Sequence, residues 1–155
     1  EDIEKIVNSN AKILTAEIEP EAVALIAARS RRTPRVANRL LKRVRDFAEV
    51  KFGGRIHEQA AQSALDMLNV DQHGLDEVDR KILHAVIHKF SGGPVGLNTL
   101  SAAIAEEMDT IESVYEPYLM QIGMLERTPR GRKATLSAYE HLGVENKYKP
   151  QNELL

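Results

Sequence analysis

Apolar residues in this chain recur every three or four positions in short runs, and only once, near residue 125, does that spacing give way to strand-like residues. Gly, Pro and polar clusters cut the runs at short intervals. A chain punctuated this way must build its core from short amphipathic helices, with room for one small hairpin. The expected class is therefore mainly α.

The first half reads as four helical segments. Residues 3–15 keep a helical period on Ile3, Ile6, Val7, Ala11 and Leu14. Pro20 opens a short second helix, where its missing N–H costs nothing. Thr33 is placed to cap a third, with Pro34 at its first position. The third helix buries Val36, Leu40, Leu41, Val44, Phe47 and Ala48, and Gly53-Gly54 ends it. Residues 57–69 give the fourth, on Ala60, Ala61, Ala64, Leu65 and Leu68. Asp71-Gln72-His73-Gly74 then reads as a polar linker. The expected division is 1–73, 74–143 and a polar, frayed tail from 144 to 155.

The second half changes pattern. Asp76 can cap a helix carrying Val78, Ile82, Leu83, Val86, Ile87 and Phe90. Val95-Gly96-Leu97 is long enough only for a stub strand. Asn98 can cap a helix with Leu100, Ala103 and Ile104, and Asp109 with Glu112 matches a capping box for the next. Met124–Thr128 and Lys133–Leu136 read as two strands around a turn at Pro129-Arg130-Gly131-Arg132, and 137–142 as a last helical turn or two. Pro117 should kink the helix drawn at 110–123. Helix, stub, helix, helix, hairpin is the winged-helix order, a helix-turn-helix variant.

Apolar residues are 43% of the 155, enough for a packed core. The formal net charge is -2, so any nucleic-acid site must be a local patch. The chain has no cysteine, which excludes disulfides, thiolate nucleophiles and the usual zinc sites and fits a reducing cytoplasm. No apolar run approaches the ~20 residues of a membrane helix. The chain opens on Glu1 inside a helical pattern and is read as part of a longer protein.

The tetrapeptide Arg-Thr-Pro-Arg occurs twice, at 32–35 and 127–130. The second copy runs into the hairpin, whose tip carries Arg127, Arg130, Arg132 and Lys133 with no acid among them. Arginine suits phosphate, since its planar fork stays charged and donates in pairs. The helix before the hairpin carries Glu112 and Glu116 and neither lysine nor arginine, so base reading in the major groove is not expected. The wing should contact phosphates without sequence preference. The bland alternative is a solvated loop.

In the first half, Arg39, Lys42 and Arg43 lie opposite the apolar stripe as a solvated face. Arg35 sits in the first turn, where the helix dipole favours an anion and where a cation can close on a phosphate. His84 and His88 share a helix face at i, i+4 without a carboxylate spaced to join them, so a solvent-facing pair is expected over a zinc site. Tyr115, Tyr118 and Tyr139 read as core and edge packing.

A four-helix module whose third helix opens on Thr-Pro-Arg resembles the lid of AAA+ ATPases. Arg32–Ala48, Ala64–Asp71, Gly92–Leu97, Glu116–Leu119 and Arg127–Arg132 together resemble the RuvB family of Holliday junction branch migration motors, over about Ile3 to Gly143. The resemblance implies a helical AAA+ lid followed by a winged-helix head. It implies that Arg35 is the sensor-2 arginine touching nucleotide phosphates, and that Arg127 and Arg132 contact DNA. Met108 falls where some relatives have a DNA-contacting arginine, and a methionine cannot pair with phosphate. The resemblance further implies ATP and Mg²⁺ in the whole protein, a homohexameric ring on duplex or junction DNA, and RuvA and RuvC as partners. The sequence contains no Gly-x-x-x-x-Gly-Lys-Ser/Thr loop. This stretch alone is therefore expected to be monomeric, to bind nucleotide weakly or not at all, and to hydrolyse no ATP.

Two other readings fit the second half: a non-enzymatic winged-helix transcription regulator with a helical dimerisation domain, and a protein-interaction adaptor with a merely solvated wing. A regulator should select one DNA motif; an adaptor should show no salt-dependent DNA binding.

Overall fold

The computed structural model describes residues 2–146. The chain divides into two compact units, Glu1–Glu77 and Val78 onward. The polar stretch 71–74 lies in the first unit.

The first unit is four helices: α1 (Asp2–Ile13), α2 (Pro20–Ala28), α3 (Pro34–Lys51) and α4 (Glu58–Met67). α3 packs on α1 and α4, and α2 packs on α1 and α4. Each helix contributes its stripe to one core: Val7 and Ala11; Val23 and Ile26; Leu40, Leu41 and Val44; Ala61, Ala64 and Leu65. The alanines of α4 let the neighbouring helices approach closely.

Two ties in this unit are not helical. Glu19 N–H donates to the Ile56 carbonyl at 3.0 Å and Ile56 N–H to that of Glu17 at 2.9 Å, a one-residue parallel bridge between loops. The Nδ1 of His57 accepts from Ala60 N–H at 3.1 Å and caps α4. The stretch 71–74 is a defined turn: Asp71 Oδ1 accepts from His73 N–H at 2.9 Å and Leu75 N–H at 3.0 Å. Gly74 closes on Arg29, whose carbonyl oxygen would lie 2.6 Å from any Cβ there.

The second unit starts from α5 (Glu77–His84), which runs into a π-helical turn over Ala85–Lys89. α6 spans Leu97–Ile104. Then comes one continuous helical run: α7 (Met108–Thr110), a π-helical turn (Ile111–Tyr115) and α8 (Glu116–Gln121). Strands β1 (Leu125–Thr128) and β2 (Gly131–Ala134) pair antiparallel, and α9 (Leu136–Leu142) ends on Gly143. Its core holds Ile82, Leu83, Val86, Leu100, Ile111, Leu119 and Ala138.

Several expected details differ. Thr33 occupies the N-cap position of α3, but its hydroxyl donates to the Arg31 carbonyl at 3.1 Å instead of capping. Asn98 lies inside α6, which starts from Gly96. Asp109 lies inside α7, which starts from Glu107, so the capping box does not form. For Asp109 the reason lies in the link before α7: Ala105 turns left-handed at φ 55, and the Ser101 hydroxyl donates to the Glu106 carbonyl at 2.5 Å. The link between α6 and α7 is thereby cut to three residues.

Pro117 causes no break. Its ring would meet the carbonyl of residue 113 in a regular helix, and the wider π turn just before it relieves that clash. The hairpin turn is also shorter than expected. Gly131 and Arg132 belong to β2, and only Pro129 and Arg130 remain in the turn. The stub strand is real but one residue long: Val95 and Arg132 exchange N–H to carbonyl bonds at 2.9 and 2.7 Å. Residues 144–146 have no regular structure; the rest of the expected tail, 147–155, lies outside the described residues. Among the described residues no helix is long and apolar enough to cross a membrane, and no His, Asp and Glu cluster could hold a metal.

Candidate nucleic-acid interface and lid arginine

The wing is a four-residue ladder with Leu125 facing Ala134, Glu126 facing Lys133, Arg127 facing Arg132 and Thr128 facing Gly131. Cross-strand neighbours share a face, and like charges directly opposite repel. The ladder should therefore be strained at Arg127–Arg132. A third residue removes the strain. Glu116, the first residue of α8, is 1% exposed and lies beneath both arginines. Arg127 Nη2 donates to its Oε2 at 2.7 Å. Arg132 Nε donates to Oε1, and its Nη2 to Oε2 at 3.3 Å. Burial alone would raise the Glu116 pKa; hydrogen bonds from Arg132 and Arg127 outweigh it and hold the carboxyl below its ordinary value. The same carboxylate raises that of Arg127.

This arrangement corrects the grouping of Glu116 with Glu112 as acid on the helix face that would meet DNA. Glu116 faces inward. The outward residues of this helical run are Met108, Asp109, Glu112, Ser113, Val114, Pro117, Met120 and Gln121, again without a cation. Met108, at the start of the run, is 44% exposed.

The four wing cations are thus not equivalent. Arg132 has a 13% exposed side chain and two of its nitrogens engaged. Arg127 is 45% exposed, with Nε and Nη1 unengaged by Glu116, and Glu112 lies 3.9 Å from its Nη2. Arg130, in the turn, is exposed, and among the described residues no acid pairs with it. Lys133 is exposed on the other face, across the ladder from Glu126.

In the first unit Arg35 is exposed in the first turn of α3. The Thr33 side chain takes none of the helix N–H groups. The turn before it is unusual: Arg31 and Arg32 both have positive φ, 58 and 54. Sequence reasoning missed what anchors this turn. Arg29, 8% exposed, donates to the Val70 carbonyl at 3.0 Å and to Gln62 Oε1 at 3.1 Å, with Asp66 3.7 Å away. It ties the end of α2 to α4 and the segment after it, and so sets where α3 can begin. Nothing in the local spacing separates Arg29 from the solvated arginines that follow it.

The remaining candidates fall as expected. Arg39, Lys42 and Arg43 are exposed. His84 and His88 are exposed and stack at 5.4 Å with planes 14° apart. Burial, then the neighbouring His88 and Arg80, lower the His84 pKa. Tyr139 is buried, and Tyr115 and Tyr118 are half-buried.

Comparison with known proteins covers both units, as far as residue 143. A family model described as the RuvB AAA lid domain matches residues 1–71, and one described as the RuvB C-terminal winged helix domain matches 72–143. The Holliday junction branch migration complex subunit RuvB of Solibacter usitatus is 55% identical over 147 residues, 95% of this chain and 43% of that protein. The subunit of the same name from Ligilactobacillus salivarius is 59% identical over 144 residues, 93% of this chain and 43% of that protein. The solved structure of the Thermotoga maritima RuvB Holliday junction branch migration motor superimposes with a TM-score of 0.89 at 50% identity, covering 92% of this chain and 48% of that one. The chain therefore spans under half the length of the relatives it matches. With both domains matched in order and the fold shared at this identity, the chain belongs to the RuvB family and carries its AAA lid and winged-helix domains.

Proposed function

We propose that this chain supplies the nucleotide-sensing lid and the DNA-contacting head of an ATP-driven motor that migrates Holliday junctions. The observation that carries the reading is the wing. It presents Arg127 and Arg130 to solvent on a hairpin braced from below by Glu116, while the neighbouring helix offers no cation for base reading. A contact made to phosphates alone suits a motor that must move through any sequence. Arg130 and Arg127 lead that contact, with Arg132 and Lys133 beside them.

In the lid, Arg35 would close on the phosphates of ATP held with Mg²⁺ by a P-loop domain, and lid rotation would carry the head. Assembly into a hexameric ring in the cytoplasm, with RuvA loading it on the junction and RuvC resolving the product, belongs to the same reading. This stretch alone would be a monomer without ATPase activity, and magnesium-dependent turnover by the purified chain would refute that part. The transcription-regulator reading has no observation in its favour.

The test is duplex binding by fluorescence anisotropy across a salt series, for the chain and for its Arg127→Ala, Arg130→Ala, Arg132→Ala triple variant. Each lost phosphate contact should flatten the log–log slope by ~0.9. Equal slopes would withdraw the wing as the DNA contact. Enrichment of one motif from a random duplex pool would favour a regulator.

A further inference from the structure

Arg127 and Arg132 stand directly opposite on the ladder, where like charges destabilise the pairing unless a counter-charge lies between them. An exposed acid would have sufficed for that. Instead the fold buries a carboxylate, which is costly unless every oxygen is engaged. Both Glu116 oxygens are engaged, by these two arginines. The π-helical turn over Ile111–Tyr115 lies immediately before Glu116 and offsets its phase by roughly a quarter turn from a regular α-helix, which re-aims it under the wing.

We propose that Glu116 is a positioning residue for DNA-backbone recognition: it grips the inner edges of Arg127 and Arg132 so that their remaining N–H donors are preset for phosphate. This rests on the reading of the wing as a phosphate contact. Among the described residues, Arg127 keeps Nε and Nη1, which point to different sides of the guanidinium and would each take a separate phosphate oxygen, and Arg132 keeps Nη1. Flexible arginines lose rotamer freedom when they capture phosphate; these two have lost it already in the unbound head.

The proposal makes a prediction opposite in sign to simple charge counting. Glu116→Gln makes the head one charge more positive. If the carboxylate merely neutralised the wing, the variant would bind duplex DNA more tightly. If it positions the arginines, the variant binds about ten-fold more weakly, with a flatter salt slope, despite the added positive charge.

The experiment is fluorescence anisotropy with a short duplex of arbitrary sequence across a salt series, on the whole chain, for the native protein, Glu116→Gln, Arg127→Ala and Arg130→Ala. Amide spectra of Glu116→Gln establish that the head stays folded. Weaker binding and a flatter slope in Glu116→Gln, with Arg130→Ala also flattened, support the proposal. Equal or tighter binding in Glu116→Gln, with Arg130→Ala flattened, overturns it and leaves the wing as the DNA contact. If Arg130→Ala and Arg127→Ala both keep the native slope, the wing reading fails and the proposal falls with it.

Arginine Nε–H spectra of the native chain give a second test that needs no variant. The Arg132 Nε–H should stay protected from exchange when duplex is added. Its release on binding would mean that Glu116 competes with phosphate, and would overturn the proposal.

Discussion

Gly131 is where the wing is held against the rest of the head, and Gly131→Ala should dislodge it. A Cβ at this position would stand 2.3 Å from the Val95 carbonyl oxygen and 2.8 Å from the Gly96 nitrogen. Real Cβ contacts essentially never fall under 3.0 Å, so β2 must retreat from Val95. A retreat of about 0.7 Å takes the two Val95–Arg132 bonds, now 2.9 and 2.7 Å, beyond good hydrogen-bond range. Two backbone bonds at about 1 kcal/mol each give roughly 2 kcal/mol. Gly131 also has φ 132, and a side chain there adds roughly 1–3 kcal/mol of strain. The expected loss is therefore about 3–5 kcal/mol from the head.

Gly123→Ala is the control. It has positive φ, 73, but nothing within 4 Å of a Cβ, so it carries strain without collision. Hydrogen exchange at the Val95 and Arg132 amides, with denaturant unfolding of both variants, is the assay. Val95 and Arg132 should lose protection in Gly131→Ala and keep it in Gly123→Ala. A Gly131→Ala cost no larger than that of Gly123→Ala, with both amides still protected, would refute the argument from close approach.

Three further outcomes are expected. Glu116 is ionised at a lower pH folded than unfolded, so its stabilisation is present above the ordinary carboxylate pKa and lost as pH falls through the depressed folded value; urea unfolding over a pH series should show a shallower acid limb in Glu116→Gln, and identical limbs would contradict the assignment. Leu65→Ala, fully buried in the lid core, should cost about 2–5 kcal/mol by thermal unfolding of the first unit, and a cost below about 1 kcal/mol would mean that the site collapses to fill the space. Arg35→Ala should change lid stability by less than about 0.5 kcal/mol because the side chain is exposed; its effect should appear only in ATP turnover of a protein that includes the P-loop domain, and normal turnover there would remove Arg35 from nucleotide sensing.

Much was legible in the chain because periodicity and punctuation are local properties. Pro20 and Pro34 each open a helix, Gly123 and Gly143 each follow one, and the single non-helical pattern is the hairpin. Side-chain caps were the weak point. Thr33, Asn98 and Asp109 all have capping chemistry, yet none caps. A cap depends on where the preceding loop enters: the Ala105 turn decided it before α7, the Arg31 carbonyl took the Thr33 hydroxyl, and α6 begins two residues ahead of where Asn98 would cap it.

The sequence by itself determined that the chain makes two helical units, that arginines gather at one helix start and one hairpin, and that Arg130 stands at the hairpin's turn. Only tertiary structure decided what those arginines do when no ligand is bound. Glu116 and Arg132 are sixteen positions apart, and no local pattern says that a π turn will aim one beneath the other. Arg29 likewise sits among similar arginines until the Val70 carbonyl, forty-one positions away, accepts from it. Charge type is written residue by residue, but whether a charge is spent on the fold or left for a ligand depends on what lies within hydrogen-bond reach, and that is fixed only when distant segments pack.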